Sequence, residues 1–307
     1  MYKKIILSGG GVKGIAFIGA IKALEQKKLI SELNTLVGVS VGSIISLVLV
    51  LGYTSSEMSM ILKNMPLVFH DDISILNIFS TYGVNNAQSL THFIKQMFTY
   101  KNIDPDITFF DLFNITNKDF IVVVTNLSKY RTEYLSYKTA PDLKVIDAIR
   151  MSINIPLYFD AIKYNNDYYI DGGVTDNYPV NPLFSNGEPM LDIDKSDTIV
   201  IKLTSDVELS YAHMADDSNT CVINDIGSYF GNILLLMTSV QDMIRIKSHN
   251  DIRKLCEQKQ IKEHNETVLY IKTNDCHPVQ FDLNTEEIND LIKLGYNEVL
   301  NRDFTKK

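Results

Sequence analysis

The 307-residue chain is 45% hydrophobic and 21% charged, which is enough apolar material for a sizeable core and excludes a disordered, highly charged polymer. Its formal net charge of −8 excludes a globally basic nucleic-acid binder. The three cysteines, Cys221, Cys256 and Cys276, are too widely spaced for a disulfide framework or a metal-ligand pair, and read as free thiols of a reducing compartment.

Met1-Tyr2-Lys3-Lys4 is followed by only three apolar residues, too few for the core of a signal peptide. No apolar run approaches the ~20 residues that span a bilayer. The expectation is a soluble, cytoplasmic protein. Lys4 to Ser8 is a short apolar strand, and Ile15, Ile18, Ile21 and Leu24 recur at helical spacing up to about Lys28. Between them lies Gly9-Gly10-Gly11-Val12-Lys13-Gly14, which joins a strand to a helix N-terminus, where unpaired N–H groups favour negative charge. Gly9, Gly11 and Gly14 fit both a dinucleotide fingerprint and an oxyanion-binding loop. A dinucleotide site wants an acidic residue ending the second strand. That strand, Thr35 to Val39, instead runs into Gly38-Val39-Ser40-Val41-Gly42 and an almost wholly apolar helix from Ile44 to Leu51. Gly-x-Ser-x-Gly on a strand–turn–helix pushes a serine hydroxyl out of the sheet, which marks Ser40 as a candidate nucleophile.

Thr54-Ser55-Ser56-Glu57 is a capping box opening a helix to about Asn64. Pro66 to Val84 is irregular but carries large apolar residues, consistent with a cover over an apolar pocket or with ordinary packing. Helices are expected at Ala87 to Tyr100, Thr108 to Phe113 and Asp142 to Met151, and paired strands at Phe120 to Asn126 and Thr132 to Tyr137. Ile162 to Tyr164 and Tyr168 to Ile170 flank Asn165-Asn166-Asp167, a hairpin signal. The second strand runs into Asp171-Gly172-Gly173, either a turn dipeptide or a carboxylate ending a strand with open space around it. Further on, Asp197 to Leu203 and Val268 to Ile271 read as strands and Thr285 to Leu300 as a helix. Ile223 to Ile246 is a long helical pattern whose Tyr229, Phe230, Leu234 and Met237 fit either a lid or core packing.

Three of these motifs, in this order, resemble the patatin-like phospholipases. Gly9 to Gly14 is similar to the glycine-rich oxyanion loop, Gly38 to Gly42 to the nucleophile elbow, and Asp171 to Gly173 to the Asp-Gly-Gly/Ala motif. Ala148 to Ser152, Ile155 to Phe159 and Asp176 to Val180 also resemble family sequence. The resemblance covers residues 4–182. It implies an α/β fold with a mostly parallel central sheet flanked by helices, a three-layer sandwich. We expect one domain over 1–307, with a core at 4–182 and a C-terminal elaboration at 183–307. Where the family usually carries arginine, this chain has Lys13, which keeps the charge and loses the planar fork. Val41 stands where alanine is frequent.

The resemblance also implies the chemistry of a lipid acyl hydrolase. Ser40 would attack an ester carbonyl, and Asp171 would take its proton with no histidine involved. The N–H groups of Gly9, Gly10 and Gly11 would hold the oxyanion. Lys13, Gly14, Gly38, Gly42, Gly172 and Gly173 would support the motifs. No metal or cofactor is required. The implied partner is a lipid substrate met at a membrane or lipid aggregate. Two other readings stay open: a Ser-His-Asp esterase using His213, His249, His264 or His277, and a non-catalytic lipid- or partner-binding protein.

Overall fold

The computed structural model describes residues 1–64, 74–179, 184–185, 188–189, 197–204, 229, 233, 236–237, 267–273 and 283–304. The first half runs β1 Lys4–Leu7, α1 Ile15–Gln26, β2 Thr35–Val39, α2 Val41–Val50, α3 Ser55–Asn64, α4 Ile78–Thr81, β3 Gly83–Asn85, α5 Gln88–Tyr100, α6 Phe109–Thr116 and β4 Asp119–Asn126. The second half runs β5 Arg131–Leu135, α7 Val145–Ser152, β6 Leu157–Phe159, β7 Ile162–Tyr164, β8 Asp167–Asp171, α8 Gly173–Asp176, β9 Phe184–Ser185, β10 Glu188–Pro189, β11 Thr198–Thr204, β12 Thr267–Lys272 and α9 Thr285–Leu300.

The main sheet has the order β12-β11-β1-β2-β4-β8-β7, with β5 also on β4. Neighbours from β12 to β4 are parallel, and the pairs made by β5, β7 and β8 are antiparallel. This is the mostly parallel α/β sheet, flanked by helices, that the sequence leads one to expect. Parallel strands are covered on both faces and so read as continuous apolar runs. The side-chain period of two then sorts each run. Ile5, Leu7, Leu36, Val122 and Val124 enter the large core with α1 and α2, whereas Ile6, Val37, Val39, Ile121 and Val123 form a smaller cluster with Tyr134.

Several local signals act as expected. Thr54 N donates to Glu57 Oε2 (2.7 Å) and Glu57 N to Thr54 Oγ1 (3.2 Å), the reciprocal bonds of a capping box. The β7–β8 turn has positive φ at Asn165 and Asn166, which suits the right-handed twist of a tight hairpin. Others shift. The α7 helix starts at Val145 rather than Asp142, because Pro141 O and Leu143 O accept N–H bonds from Phe110 and Phe109, and Val145 N bonds to Ile107 O. Residues 141–143 are thereby held in a turn and a bend, and Lys144 alone is extended before the helix. The parallel pair β3–β6 was unexpected, its strands of three residues being too short to carry a pattern.

In the irregular stretch, residues 65–73 lie outside the described ones. Beyond them Val84 is buried, but Leu76 and Phe79 are 77% and 84% exposed, so core packing does not account for those two. Of the possible lid residues, Tyr229 and Met237 are helical and exposed, while Phe230 and Leu234 fall outside the described residues. So do all three cysteines. Among the described residues, no helix is long and apolar enough to cross a membrane.

Candidate active site

The β4 strand brings the site together. Over Val122–Asn126 one of its edges is taken by β5. The other edge is shared: β2 pairs with Asp119–Val123 in parallel, and β8 then takes Val124–Asn126 antiparallel. A strand has only two edges, so β2 and β8 lie end to end on the same one. Their C-terminal ends face each other, Val39 opposite Val123 and Asp171 opposite Val124. The residue after β2 is Ser40, and the last residue of β8 is Asp171.

Ser40 has φ 51° and ψ −127°, a conformation that L residues rarely adopt. It is held there by its surroundings. Ser40 N donates to Ser152 Oγ (2.9 Å), and Ser152 Oγ donates in turn to Val123 O of β4 (2.7 Å). Ser40 O accepts from Ser43 N (2.8 Å) and Ser43 Oγ (2.6 Å) in the first turn of α2. The chain reverses so tightly that a Cβ at Gly38 would overlap the Ser43 backbone, and one at Gly42 the carbonyls of Leu7 and Ser8. Backbone strain fixed by several independent bonds is a mark of functional sites.

Ser40 Oγ donates to Asp171 Oδ2 at 2.5 Å. Asp171 is 1% exposed, and its other oxygen accepts from Gly173 N (2.7 Å). Its backbone is fixed by Asp171 N to Asn154 O (2.8 Å) and by Thr125 Oγ1 to Asp171 O (2.9 Å), while Gly172 N reaches Ser152 O (3.2 Å). Burial disfavours the carboxylate and pushes its pKa up to about 7, against the opposing pull of the Ser40 hydroxyl and the Gly173 N–H.

The glycine loop lies beside this pair. Gly9 N donates to Asn177 Oδ1 (2.8 Å), so its N–H is committed. The N–H groups of Gly10 and Gly11 meet no acceptor among the described residues. Gly11 has φ 57°, the left-handed region that favours glycine, and lines the same cavity as Ser40. Lys13 is 2% exposed; its backbone N–H donates to Gly10 O (3.2 Å), and its side chain makes no hydrogen bond or ion pair with a described residue. Gly14 leaves the space that the Val41 side chain fills.

Ser40 opens onto a cavity of about 160 Å³. One face of α2, with Val41, Ile44, Ile45 and Val48, forms a wall. Met58 and Ile61 of α3 and Leu90, Phe93 and Met97 of α5 contribute others, and Phe159 of β6 another. From Ser40 to Val48 this wall is about 12 Å long at ~1.5 Å per helical residue. Apart from Ser40 and the glycine loop, the lining is apolar.

Of the sequence-derived site residues, the structure brings Ser40, Asp171, the three loop glycines and Gly173 into one place. The histidines proposed for a triad, His213, His249, His264 and His277, lie outside the described residues. The one histidine among the described residues, His92, is exposed on α5, 3.0 Å from Gln96 Nε2. Three buried residues had no role assigned from sequence: Ser152, Asn154 and Asn177. Their signal was present only as stretches of family-like sequence around them, since hydrogen bonds across 112 and 168 residues leave no local pattern.

A serine strained at a strand–helix turn, bonded to a buried carboxylate at the end of a mostly parallel sheet and opening on an apolar cavity, places the molecule among the α/β proteins with a serine–carboxylate pair. More narrowly, residues 5–184 match the patatin-like phospholipase family, and the chain belongs to it. A probable lipid hydrolase of Invertebrate iridescent virus 6 is 33% identical over 188 residues, covering 59% of this chain and 62% of that protein. An uncharacterized protein of Acanthamoeba polyphaga mimivirus is 29% identical over 306 residues, 97% of this chain and 92% of that one. The crystal structure of VipD from Legionella pneumophila shares the fold, with a TM-score of 0.60 at 15% identity over 97% of this chain and 66% of that one. The iridescent-virus protein and VipD are thus matched over less than two thirds of their own lengths.

Proposed function

We propose that the protein is a lipid acyl hydrolase that cleaves carboxylic esters of phospholipids or related glycerolipids through a Ser40–Asp171 dyad. The observation that carries this reading is the 2.5 Å bond from Ser40 Oγ to Asp171 Oδ2 beside an apolar cavity. The family and the relative named as a probable lipid hydrolase support the same chemistry.

In this mechanism Ser40 Oγ attacks the ester carbonyl as Asp171 Oδ2 takes its proton. The carbonyl oxygen becomes an oxyanion held by the N–H groups of Gly10 and Gly11, with Gly9 anchoring the loop. The C–O bond to the leaving alcohol breaks, and the alcohol leaves with the proton from Asp171. Water then gives a proton to Asp171 and its oxygen to the acyl carbon, which releases the fatty acid and restores Ser40. An ordinary carboxylate is a weak base for this work, but one raised to about 7 is matched to neutral pH. The acyl chain occupies the cavity, and the polar part of the lipid stays outside it. A substrate of this kind is met at a membrane or lipid aggregate, so turnover should rise as the lipid passes from monomers to aggregates.

The deciding experiment is hydrolysis of a panel of phospholipid and glyceride esters by the wild type, Ser40→Ala and Asp171→Asn, with fluorophosphonate labelling alongside. Both variants should be folded and inactive, and the label should sit on Ser40. A folded Ser40→Ala variant with wild-type turnover would defeat the reading.

A further inference from the structure

Asn177 follows α8 and is 8% exposed. Its side-chain oxygen accepts the Gly9 N–H at 2.8 Å across 168 residues of sequence. The same oxygen is 2.7 Å from where a Cβ on Gly9 would stand, and Ser40 Cβ is 3.1 Å from that point. It is also 3.3 Å from where a Cβ on Gly173 would stand, and Asp171 Oδ1 is 3.1 Å from that point. One amide oxygen therefore bonds the glycine loop and borders the same small spaces over Gly9 and Gly173 that Ser40 Cβ and Asp171 Oδ1 border. No backbone bond among the described residues links the glycine loop to the aspartate turn, so this side chain is their direct tie.

We infer that Asn177 is a positioning residue that sets the glycine loop against the Ser40–Asp171 pair, and that it must be neutral to do so. The inference rests on the dyad reading and adds a residue to it. The tie places the Gly10 and Gly11 N–H groups, which matter only once the oxyanion forms, so its loss falls on kcat and leaves KM nearly unchanged. Neutrality matters because of the environment of Asp171. Burial dominates there, and no charged side chain acts on it among the described residues. None of the charged groups of the neighbouring elements is among those acting on Asp171. Asp176 of α8 accepts from Tyr134 OH of β5 (2.5 Å) and from Tyr178 N (3.2 Å), Lys202 of β11 stands over the Tyr178 ring (5.5 Å), and Lys13 sits on the glycine loop. A carboxylate at position 177 would be a second negative charge beside Asp171 in the same buried space, and like charges hold each other protonated.

Two variants separate the roles. Asn177→Ala removes the tie without adding charge. It should lower kcat about 10²-fold, the order expected from a small misplacement of catalytic groups, with KM and the acidic limb of the pH profile unmoved. Asn177→Asp is isosteric and keeps an acceptor for the Gly9 N–H. It should be nearly inactive at pH 7 and regain turnover as pH rises, its acidic limb displaced upward by one unit or more. A purely structural role predicts equal losses in both variants with no displaced limb. Wild-type kcat in Asn177→Ala, or an unshifted limb in folded Asn177→Asp, would overturn the inference and leave the dyad standing if Ser40→Ala is dead. An active Ser40→Ala would bring down both.

Discussion

At the scale of single residues, the site depends on a carboxylate placed where a carboxylate is costly. Asp171 is buried, bonded to one hydroxyl and one N–H, and titrates at about 7 instead of near ~3.9 as in an unfolded chain. Between those two values the folded state binds a proton that the unfolded state does not. Stability from this group is therefore fully present below ~4 and is lost as pH rises through about 7, a change on the order of 4 kcal/mol. Asp171→Asn should relieve that penalty. Its melting temperature relative to wild type should climb between pH 5 and pH 8 in thermal scans, while activity stays absent throughout. A constant offset would mean that Asp171 stays ionised in the fold. Wild-type turnover should follow the opposite sign, rising with pH through about 7 as the base becomes available. Gly11 makes a second residue-scale case. With φ at 57° and an N–H that meets no acceptor among the described residues, Gly11→Ala should strain the loop and displace an N–H proposed to hold the oxyanion. Loss of one such donor costs ~10²–10³ in rate. Steady-state kinetics should show that loss in kcat with KM changed little.

At the scale of elements, α2 serves two purposes. Its first residues fix the serine turn, and its Ile44, Ile45 and Val48 wall the cavity that receives the acyl chain in the proposed function. Each methylene buried along that wall contributes about 0.8 kcal/mol, about fourfold in kcat/KM. A series of soluble esters of increasing acyl length should rise by that factor per carbon until the cavity is full. Val48→Phe should end the rise at a shorter chain and leave the shortest ester unaffected. A series that shifts equally at every length would place the chain elsewhere. The elements were also where the sequence was most legible. The β1–loop–α1 and β2–turn–α2 units announce themselves, because a change from buried-strand to helical periodicity across glycines is a local signal. The hairpin β7–β8 was legible for the same reason, through Asn165 and Asn166. The end-to-end meeting of β2 and β8 on β4 was not, since a strand's second edge partner leaves no mark in its own residues. Nor could Ser152 and Asn177 be given roles, because buried polar residues look like turn residues until their partners are known.

At the scale of the whole molecule, β11 lies on the edge of β1 opposite β2, and β12 extends the sheet beyond it. Ile199, Ile201 and Leu203 of β11 join the same large core as Ile5 and Leu7, and α9 supplies Ile288, Leu291 and Val299 to it. We propose on these grounds that the chain forms one domain, with the residues after 182 completing the core. Calorimetry should then give a single transition whose van't Hoff and calorimetric enthalpies agree. Two resolved transitions would split the domain. The end-to-end arrangement on β4 has a consequence in time. Ser40 leaves the ribosome long before its partner: at about 5–20 residues per second, the 131 residues added after it, up to Asp171, take roughly 7–26 s to be made. Throughout that interval the serine is chemically ordinary, and so is any fragment that stops short of Asp171. The hydrolytic reactivity proposed for the pair is thus withheld from the nascent chain, and it switches on only when β8 docks against the last three residues of β4.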